Sequence, residues 1–154
     1  MSETEQVECL RAAADLTDAI YEGLDVGPEI RAIAAQGLGD TVLVLEGSGL
    51  AGFALCHCGA DTEAGNHTCY IKFAAVRRGR KAGKLFDRLL DVCESFATSQ
   101  DLKRVEAGVN LAREEAHRQM LARGFRTAFQ GVTMHKPNEP GYSRAGVYVI
   151  DDWR

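Results

Sequence analysis

Residues 77–84 form a short basic segment whose residue types could bind an anion. Five of the eight are basic: Arg77, Arg78, Arg80, Lys81 and Lys84. Gly79 and Gly83 stand among them, and glycine lets a backbone approach an anion closely. The segment follows an apolar run and precedes a helical pattern, and a helix start offers unpaired N–H groups and partial positive charge to a phosphate. A solvated basic helix start is the alternative, but basic residues there oppose the helix dipole.

The charge distribution favours a small anionic ligand over a nucleic acid. The net charge is −4, so the residues outside the basic segment carry −9. General nucleic-acid binders need broad positive surfaces, which this balance opposes. A compact positive spot on an acidic body suits a small anion. The length of 154 residues and the 45% hydrophobic content predict one domain over residues 1–154.

The sequence also predicts a cytoplasmic protein with reduced thiols. No apolar run approaches the roughly 18 residues that a membrane span needs, so we expect no membrane partner. Acidic residues stand at positions 3, 5 and 8, where a secretory signal would be basic and then apolar. The five cysteines, an odd number, then favour free thiols.

The apolar periodicity predicts an α/β chain that begins with two helices. We expect helices over residues 5–21, 28–36, 82–98 and 111–123. We expect strands over residues 41–45, 50–56, 69–76, 104–109, 125–135 and 147–150, with a loop over 59–66. Asn110 is the expected cap of the fourth helix. The expected buried side of that helix consists of Ala112, Ala116, Met120 and Leu121.

The segment from Val76 to Phe86 resembles the acyl-CoA loop of the GNAT superfamily of N-acetyltransferases. Arg78 takes the first position of that motif and Gly83 the last, while Lys81 stands where the family usually has a glycine. The stretch before Arg78 is also shorter than the family norm. The resemblance implies that the loop wraps the CoA pyrophosphate. The cofactor-binding residues that it implies in and beside this loop are Ala75, Val76, Arg78, Gly79, Arg80, Lys81, Ala82, Gly83 and Lys84.

A second stretch is similar to the family's later helix. Ala116, Met120, Gly124 and Phe125 follow its pattern, except that Met120 replaces an aromatic residue. In many members that residue is a tyrosine that protonates the CoA thiolate, which methionine cannot do. Arg113 occupies the usual asparagine position and Asn110 lies one helical turn earlier. Either is implied to contact the pantetheine or adenosine part of the cofactor.

The resemblance covers roughly residues 41–136 and implies a mixed, mostly antiparallel sheet with about four helices. The family's first strand has no clear counterpart, so the N-terminus is shortened or the end strand near Val147 fills that edge. The strand at 70–76 is implied to splay from the strand at 104–109, and pantetheine adds to the open edge. A backbone N–H near residues 74–76 would then stabilise the oxyanion.

The implied function is transfer of an acetyl or other acyl group from acetyl-CoA to a small or peptidic amine by direct attack. The expected cofactor is acetyl-CoA, without a metal. The alternative is a non-catalytic acyl-CoA-binding or regulatory domain. Glu106, Tyr70 and His117 are candidates for proton transfer, yet each also fits a structural role, so the catalytic residue stays unassigned.

A zinc module is a third reading of the sequence. Cys56, Cys58, His67 and Cys69 flank one loop, and zinc favours thiolate and imidazole ligands. Their two-residue spacing differs from the usual C-x2-C pattern, so buried apolar thiols are the preferred interpretation.

The C-terminal residues 137–154 predict a tail or strand that docks. This stretch contains the large aromatic residues Tyr148 and Trp153, which usually pack against another surface. Such a tail docks on its own domain or on a second copy, and the second case predicts a homodimer.

Overall fold

The structure is a computed structural model, which describes residues 2–131 and 145–151. These residues form four helices and five strands. The elements are α1 Glu3–Asp18, α2 Gly27–Gln36, β1 Gly39–Glu46, β2 Gly49–Gly59, β3 Gly65–Val76, α3 Ala82–Ser99, β4 Arg104–Ala107, α4 Glu114–Ala122 and β5 Val149–Asp151. Within the described ranges, no helix is both long and apolar enough to cross a membrane.

Local sequence signals begin and end the first two helices. Ser2 caps α1: its hydroxyl accepts a hydrogen bond from the Glu5 N–H, and the Glu5 carboxylate accepts one from the Ser2 N–H. Pro28 lies in the first turn of α2, where its fixed φ suits a helix and its missing N–H costs nothing. Gly37, with φ of 64°, ends α2 in the left-handed conformation.

The five strands form one mixed sheet, which confirms the predicted α/β fold class. The first three strands pair antiparallel in the order β1, β2, β3. Two further strands share the other edge of β3. β4 pairs parallel to it from Thr68 to Ile71, and β5 pairs antiparallel to it from Phe73 to Ala75.

Helices cover both faces of the sheet, so β2 and β3 are buried on both sides. On one face, α3 packs against the sheet with its apolar stripe buried, and α4 packs against α3. On the other face, α1 and α2 bury residues such as Leu16 and Ile33 against Phe53 and Phe73.

Three predictions about the fourth helix were wrong. The helix begins at Glu114 rather than at residue 111, and Asn110 does not cap it. The Asn110 Oδ1 instead accepts a hydrogen bond from the Ala112 N–H at 2.9 Å, which closes a local turn before the helix. Ala112 and Leu121 are exposed, so the buried side of α4 carries Ala116 and Met120 alone.

The expected strand over residues 125–135 was also wrong in its described part. Residues 125–131 are not in a strand, and residues 126–131 are exposed. The Phe125 N–H donates to the Met120 carbonyl, so this stretch begins as the closing turn of α4. The remainder of that prediction, like Trp153, lies outside the described residues.

Strand boundaries differ from the predictions in smaller ways. β3 begins at Gly65, so the expected loop over 59–66 is reduced to residues 60–64, and β4 ends at Ala107. The end strand covers Val149–Asp151 and pairs with β3. It therefore does not fill the sheet edge beside β1, which was one of the two expectations for the missing first strand.

Candidate functional site

The basic loop, residues 77–81, connects the end of β3 to the start of α3. The Arg77 N–H donates to the Ala51 carbonyl at 2.8 Å, which fixes the loop to β2. Gly79 has φ of 132°, a backbone conformation that disfavours other residues, and its carbonyl accepts from the Ala82 N–H at 2.9 Å. The loop therefore makes a tight turn, after which α3 packs along the sheet.

The start of α3 has the character of an anion site. Lys81 is its N-cap residue, no side chain caps its first turn, and that turn carries no acidic residue. The N-terminal N–H groups of a helix bear a partial positive charge and bind anions when nothing else occupies them. The loop thus places exposed basic side chains beside a helix start without side-chain acceptors.

The cations of the loop and of the first turn of α3 fall into two groups. Arg77 and Lys81 both pair with Glu46, each at 2.7 Å, and Arg78 donates to the Ala19 carbonyl at the end of α1 at 3.4 Å. In the described part of the chain, Arg80 and Lys84 form no hydrogen bond or ion pair through their side chains, and both are exposed. These two are the cations available to a ligand without breaking a contact.

Glu46 is a site residue that the sequence reasoning missed. It ends β1 beside the hairpin turn, and the β2–β3 register places that turn next to Val76 and Arg77. The hydrogen bond and the charge of Lys81, together with those of Arg77, lower the pKa of its carboxyl. Glu46 is therefore ionised at neutral pH. The signal was the hairpin register, which puts residues 46–49 beside the end of the third strand.

A cavity of about 320 Å³ opens at the loop. It is lined by Glu46, Arg77, Arg78, Gly79, Arg80, Lys81 and Leu85. Four of these are basic and one is acidic, so the cavity is positive overall and suits a phosphate group.

The resemblance implied an open edge on the last residues of β3, but β5 covers this edge. β3 and β4 do part after Ile71, as expected, but β5 then lies along β3 opposite Phe73 to Ala75. The Val76 N–H donates to the Tyr148 carbonyl at 3.4 Å. Ala75 and Val76, both expected to contact the cofactor, therefore contact the C-terminal strand segment.

Gly83 is covered by two side chains. A Cβ added at this glycine would lie 3.2 Å from the Tyr148 hydroxyl, and the Gln119 amide donates to the Gly83 carbonyl at 2.8 Å. The Tyr148 ring also packs on Phe86, with 5.5 Å between ring centroids. Glycine at position 83 thus fits the close approach of the C-terminal segment, while Ala82 beside it is buried in the core.

Arg113 is buried rather than exposed to a ligand. Its side chain is 0% exposed and its Nη2 lies 3.4 Å from the Asp151 Oδ2. Asn110, the other residue expected to touch the cofactor from this region, is exposed. The structure therefore joins Arg113 to β5 and leaves Asn110 in the turn before α4.

The candidates for proton transfer occupy structural positions. Glu106 is an exposed residue of β4 that pairs with Arg104 at 3.0 Å. Tyr70 is 2% exposed within β3, and Met120 is 3% exposed in the core between α3 and the sheet. His117 lies in α4 and is half-buried. None of the three candidates, nor Met120, lines the cavity at the basic loop.

The cysteines do not form a metal centre. The described residues contain no group of three or more His, Cys, Asp or Glu side chains placed to hold a metal ion. Cys56 and Cys69 are buried, and the Cys56 Sγ lies 3.9 Å from the Cys93 Sγ. Hydrogen bonding to Cys56 and burial raise the pKa of Cys69, so its thiol stays protonated and is a poor zinc ligand.

No protein-family model matches the sequence, and no curated protein sequence matches it. Solved structures do match. Aminoglycoside N-acetyltransferase AAC(6')-Iy in complex with CoA is 14% identical, with a TM-score of 0.62 over 90% of this chain and 92% of that chain. An aminoglycoside acetyltransferase from an uncultured soil metagenomic sample, in complex with sisomicin, is 14% identical, with a TM-score of 0.64 over 90% and 93%.

A third match is a transcriptional regulator from Bacillus halodurans C-125. It is 17% identical, with a TM-score of 0.61 over 88% of this chain and 95% of that chain. Structural similarity at such low sequence identity shows a shared fold and does not show a shared activity. The chain therefore has the fold of the GNAT N-acetyltransferases, as the loop and helix resemblances predicted.

Proposed function

We propose that this protein is an acyl-CoA-dependent N-acyltransferase. The observation that carries the proposal is the basic loop at the start of α3, on the fold of N-acetyltransferases that bind CoA. The acidic remainder of the chain disfavours the other common role of a cluster of cations, which is binding to the backbone of a nucleic acid.

In this proposal the CoA phosphates bind at the basic loop. Arg80 and Lys84 neutralise them first, because neither has to leave a protein partner. Arg78 and Lys81 add contacts after giving up their present ones, as does Ala82, whose N–H now donates to the Gly79 carbonyl. The backbone at Gly79 and Gly83 supplies further N–H groups. Asn110, Arg113, Ala75 and Val76 are the proposed contacts of the rest of the cofactor, although the last three now contact β5 or the residue before it.

The chemistry is direct attack by an amine on the thioester carbonyl. The C–N bond forms, the C–S bond breaks, and the amine proton ends on solvent or on the CoA thiolate. An alkylamine with a pKa near 10.4 is mostly protonated at pH 7, and its deprotonation costs roughly 4.6 kcal/mol. Positioning and a preorganised N–H for the oxyanion supply the acceleration, and water carries the proton.

Aminoglycosides are the first acceptors to screen, because two of the structural neighbours are named as aminoglycoside acetyltransferases.

Calorimetric titration of acetyl-CoA at about 50 and 200 mM salt tests this proposal. We expect one site per chain and weaker binding at the higher salt. Arg80→Glu should weaken binding at least tenfold, or about 1.4 kcal/mol. Arg88→Glu makes the same charge change on an exposed residue of α3 outside the loop and should have little effect. Equal losses in both variants, or no binding by the unaltered protein, would contradict the proposal.

A non-catalytic acyl-CoA-binding domain is the second candidate function. Its support is Met120, which stands at the family's aromatic position, is buried and has no proton to donate. The two functions differ in turnover. Release of free CoA thiol that depends on an added amine indicates the enzyme, and saturable binding without release indicates the binding domain.

The proposal also covers organisation and location. We assign residues 1–154 to a single cytoplasmic domain, with a homodimer as its assembly. Sedimentation at high protein concentration that gave only the monomer mass would remove the dimer.

A further inference from the structure

We propose that β5 is an autoinhibitory strand, which occupies the edge of β3 where the pantetheine arm of an acyl-CoA has to bind. This inference rests on the proposed function, because it concerns access to the same cofactor site. The segment Gly146–Asp151 leaves the edge of β3 when the ligand binds and returns when the ligand dissociates.

The first support is the backbone pairing. β2 holds one edge of β3 and β4 holds the first part of the other edge, up to Ile71. β5 covers the next residues, with Ala75 opposite Val149, and the Val76 N–H donates to the Tyr148 carbonyl. An extended ligand that added to this edge would need the same backbone groups, so the ligand and β5 exclude each other.

The second support is the position of Tyr148. Its ring packs on Phe86, and its hydroxyl lies against Gly83 in the first turn of α3. The C-terminal segment therefore runs from the helix start, where the phosphates are proposed to bind, along β3 toward the splay. That is the path that a chain linked to a bound pyrophosphate would follow.

The third support is that polar contacts to α4 and the residue before it hold both ends of the segment. At one end, the Gly146 N–H donates to the Glu115 carboxylate at 3.2 Å. At the other end, Asp151 pairs with the buried Arg113 at 3.4 Å. Between them, Val149 and Ile150 are at most 1% exposed. Displacing β5 breaks these two contacts and its backbone pairing with β3, and it exposes apolar side chains. The state in which β5 is paired to β3 therefore reduces the apparent affinity for acyl-CoA.

A reversible crosslink tests whether β5 has to leave. Ala75 and Val149 face each other directly, and opposed Cβ atoms in such a pair lie about 4.5–5.5 Å apart. That is close to the roughly 3.5–4.5 Å that a disulfide spans. The variant carrying Ala75→Cys and Val149→Cys can therefore be compared with itself, oxidised and reduced. The unaltered protein, taken through the same oxidation and reduction, controls for the five native thiols.

The probes are acetyl-CoA, which has no free thiol to reduce the crosslink, and adenosine 3′,5′-diphosphate, which lacks the pantetheine arm. We expect oxidation to weaken acetyl-CoA binding at least tenfold and to leave adenosine 3′,5′-diphosphate binding within about twofold. Tyr148→Ala, which removes the ring from Phe86 and Gly83 and keeps the chain length, should strengthen acetyl-CoA binding.

Two results would overturn the inference in distinguishable ways. If both forms of the crosslinked variant bound acetyl-CoA equally well, β5 would not compete and the phosphate site would stand. If neither probe bound to any form, including the unaltered protein, the proposed function would fail and the autoinhibitory strand with it.

Discussion

Arg113 and Asp151 form a buried ion pair between the residue that precedes α4 and the last residue of β5. The Arg113 Nη2 lies 3.4 Å from the Asp151 Oδ2, and the two side chains are 0% and 3% exposed. They are 38 residues apart in the sequence. An ion pair removed from water this completely holds its two elements in one arrangement, since separating the charges leaves each of them unsolvated.

Asp151→Asn is predicted to lower the stability of the protein. Removing one partner of a buried ion pair costs about 3–5 kcal/mol, because the other charge stays buried without compensation. Urea denaturation measures this loss. Asp61→Asn, at an exposed aspartate in the β2–β3 turn, is the matched control and should change stability by no more than about 0.5 kcal/mol.

The same variant should bind acetyl-CoA more tightly, because a weaker attachment of β5 frees the edge of β3. Stability and affinity thus change in opposite directions. A variant as stable as the unaltered protein would show that the pair does not hold β5.

Glu46→Gln is predicted to strengthen acetyl-CoA binding. The Glu46 carboxylate pairs with Arg77 and Lys81, and its lowered pKa keeps it ionised at neutral pH, beside the proposed phosphate site. Removing an exposed charge of the same sign as the ligand should raise the affinity roughly two- to fivefold.

Glu63→Gln is the matched control for this prediction. Glu63 also pairs with a lysine, Lys72, but lies in the turn between β2 and β3. Its replacement should leave the calorimetric affinity unchanged. An equal gain in both variants would mean that net charge, rather than the local position of Glu46, sets the affinity.

The sequence predicted the elements whose signals are local. Helix α3 and strands β1 and β2 depend on spacing within one element, and all three were predicted within three residues of their observed bounds. The basic loop was placed between β3 and α3 for the same reason. Periodicity and turn chemistry act over a few residues, so a single sequence carries them.

The parts that were missed depend on tertiary pairing. Nothing near Val149 indicates that it lies opposite Ala75, because that pairing joins residues 74 positions apart. Glu46 became a site residue only through the hairpin register, and Asn110 served a local turn where a helix cap was expected. A short polar side chain fits both a turn and a cap, so local sequence could not separate these roles.

Thiol labelling is predicted to separate the five cysteines into two groups. Cys9 and Cys58 are partly exposed, while Cys56, Cys69 and Cys93 are buried. A disulfide reagent at pH 8 should therefore label two thiols in the folded protein and all five in denaturant. Rapid labelling of more than two in the folded protein would contradict the burial of the other three.

Alkaline pH is predicted to destabilise the fold through these thiols. The hydrogen bond to Cys56 and burial raise the pKa of Cys69 above its unfolded value near 9. Above that pH the unfolded chain binds fewer protons than the folded one, so stability is complete below pH 9 and falls as the pH rises. Urea denaturation at pH 8, 9 and 10 measures the slope, which is at most about 1.4 kcal/mol per pH unit for each proton released. Cys69→Ala should reduce the slope, and an unchanged slope in this variant would contradict the prediction.

Met120→Tyr tests whether the family's tyrosine can be restored. Met120 is 3% exposed and packs in the core between α3 and the sheet. A tyrosine there adds volume to a filled space and buries a hydroxyl, so we expect a loss of about 1–3 kcal/mol in stability and no gain in turnover. Met120→Leu keeps the volume and should cost less than about 1.5 kcal/mol, with turnover unchanged. Amine-dependent thiol release and urea denaturation measure the two effects. A tenfold rise in turnover with tyrosine would mean that position 120 reaches the thiolate in the ligand-bound state, and that displacement of β5 uncovers it.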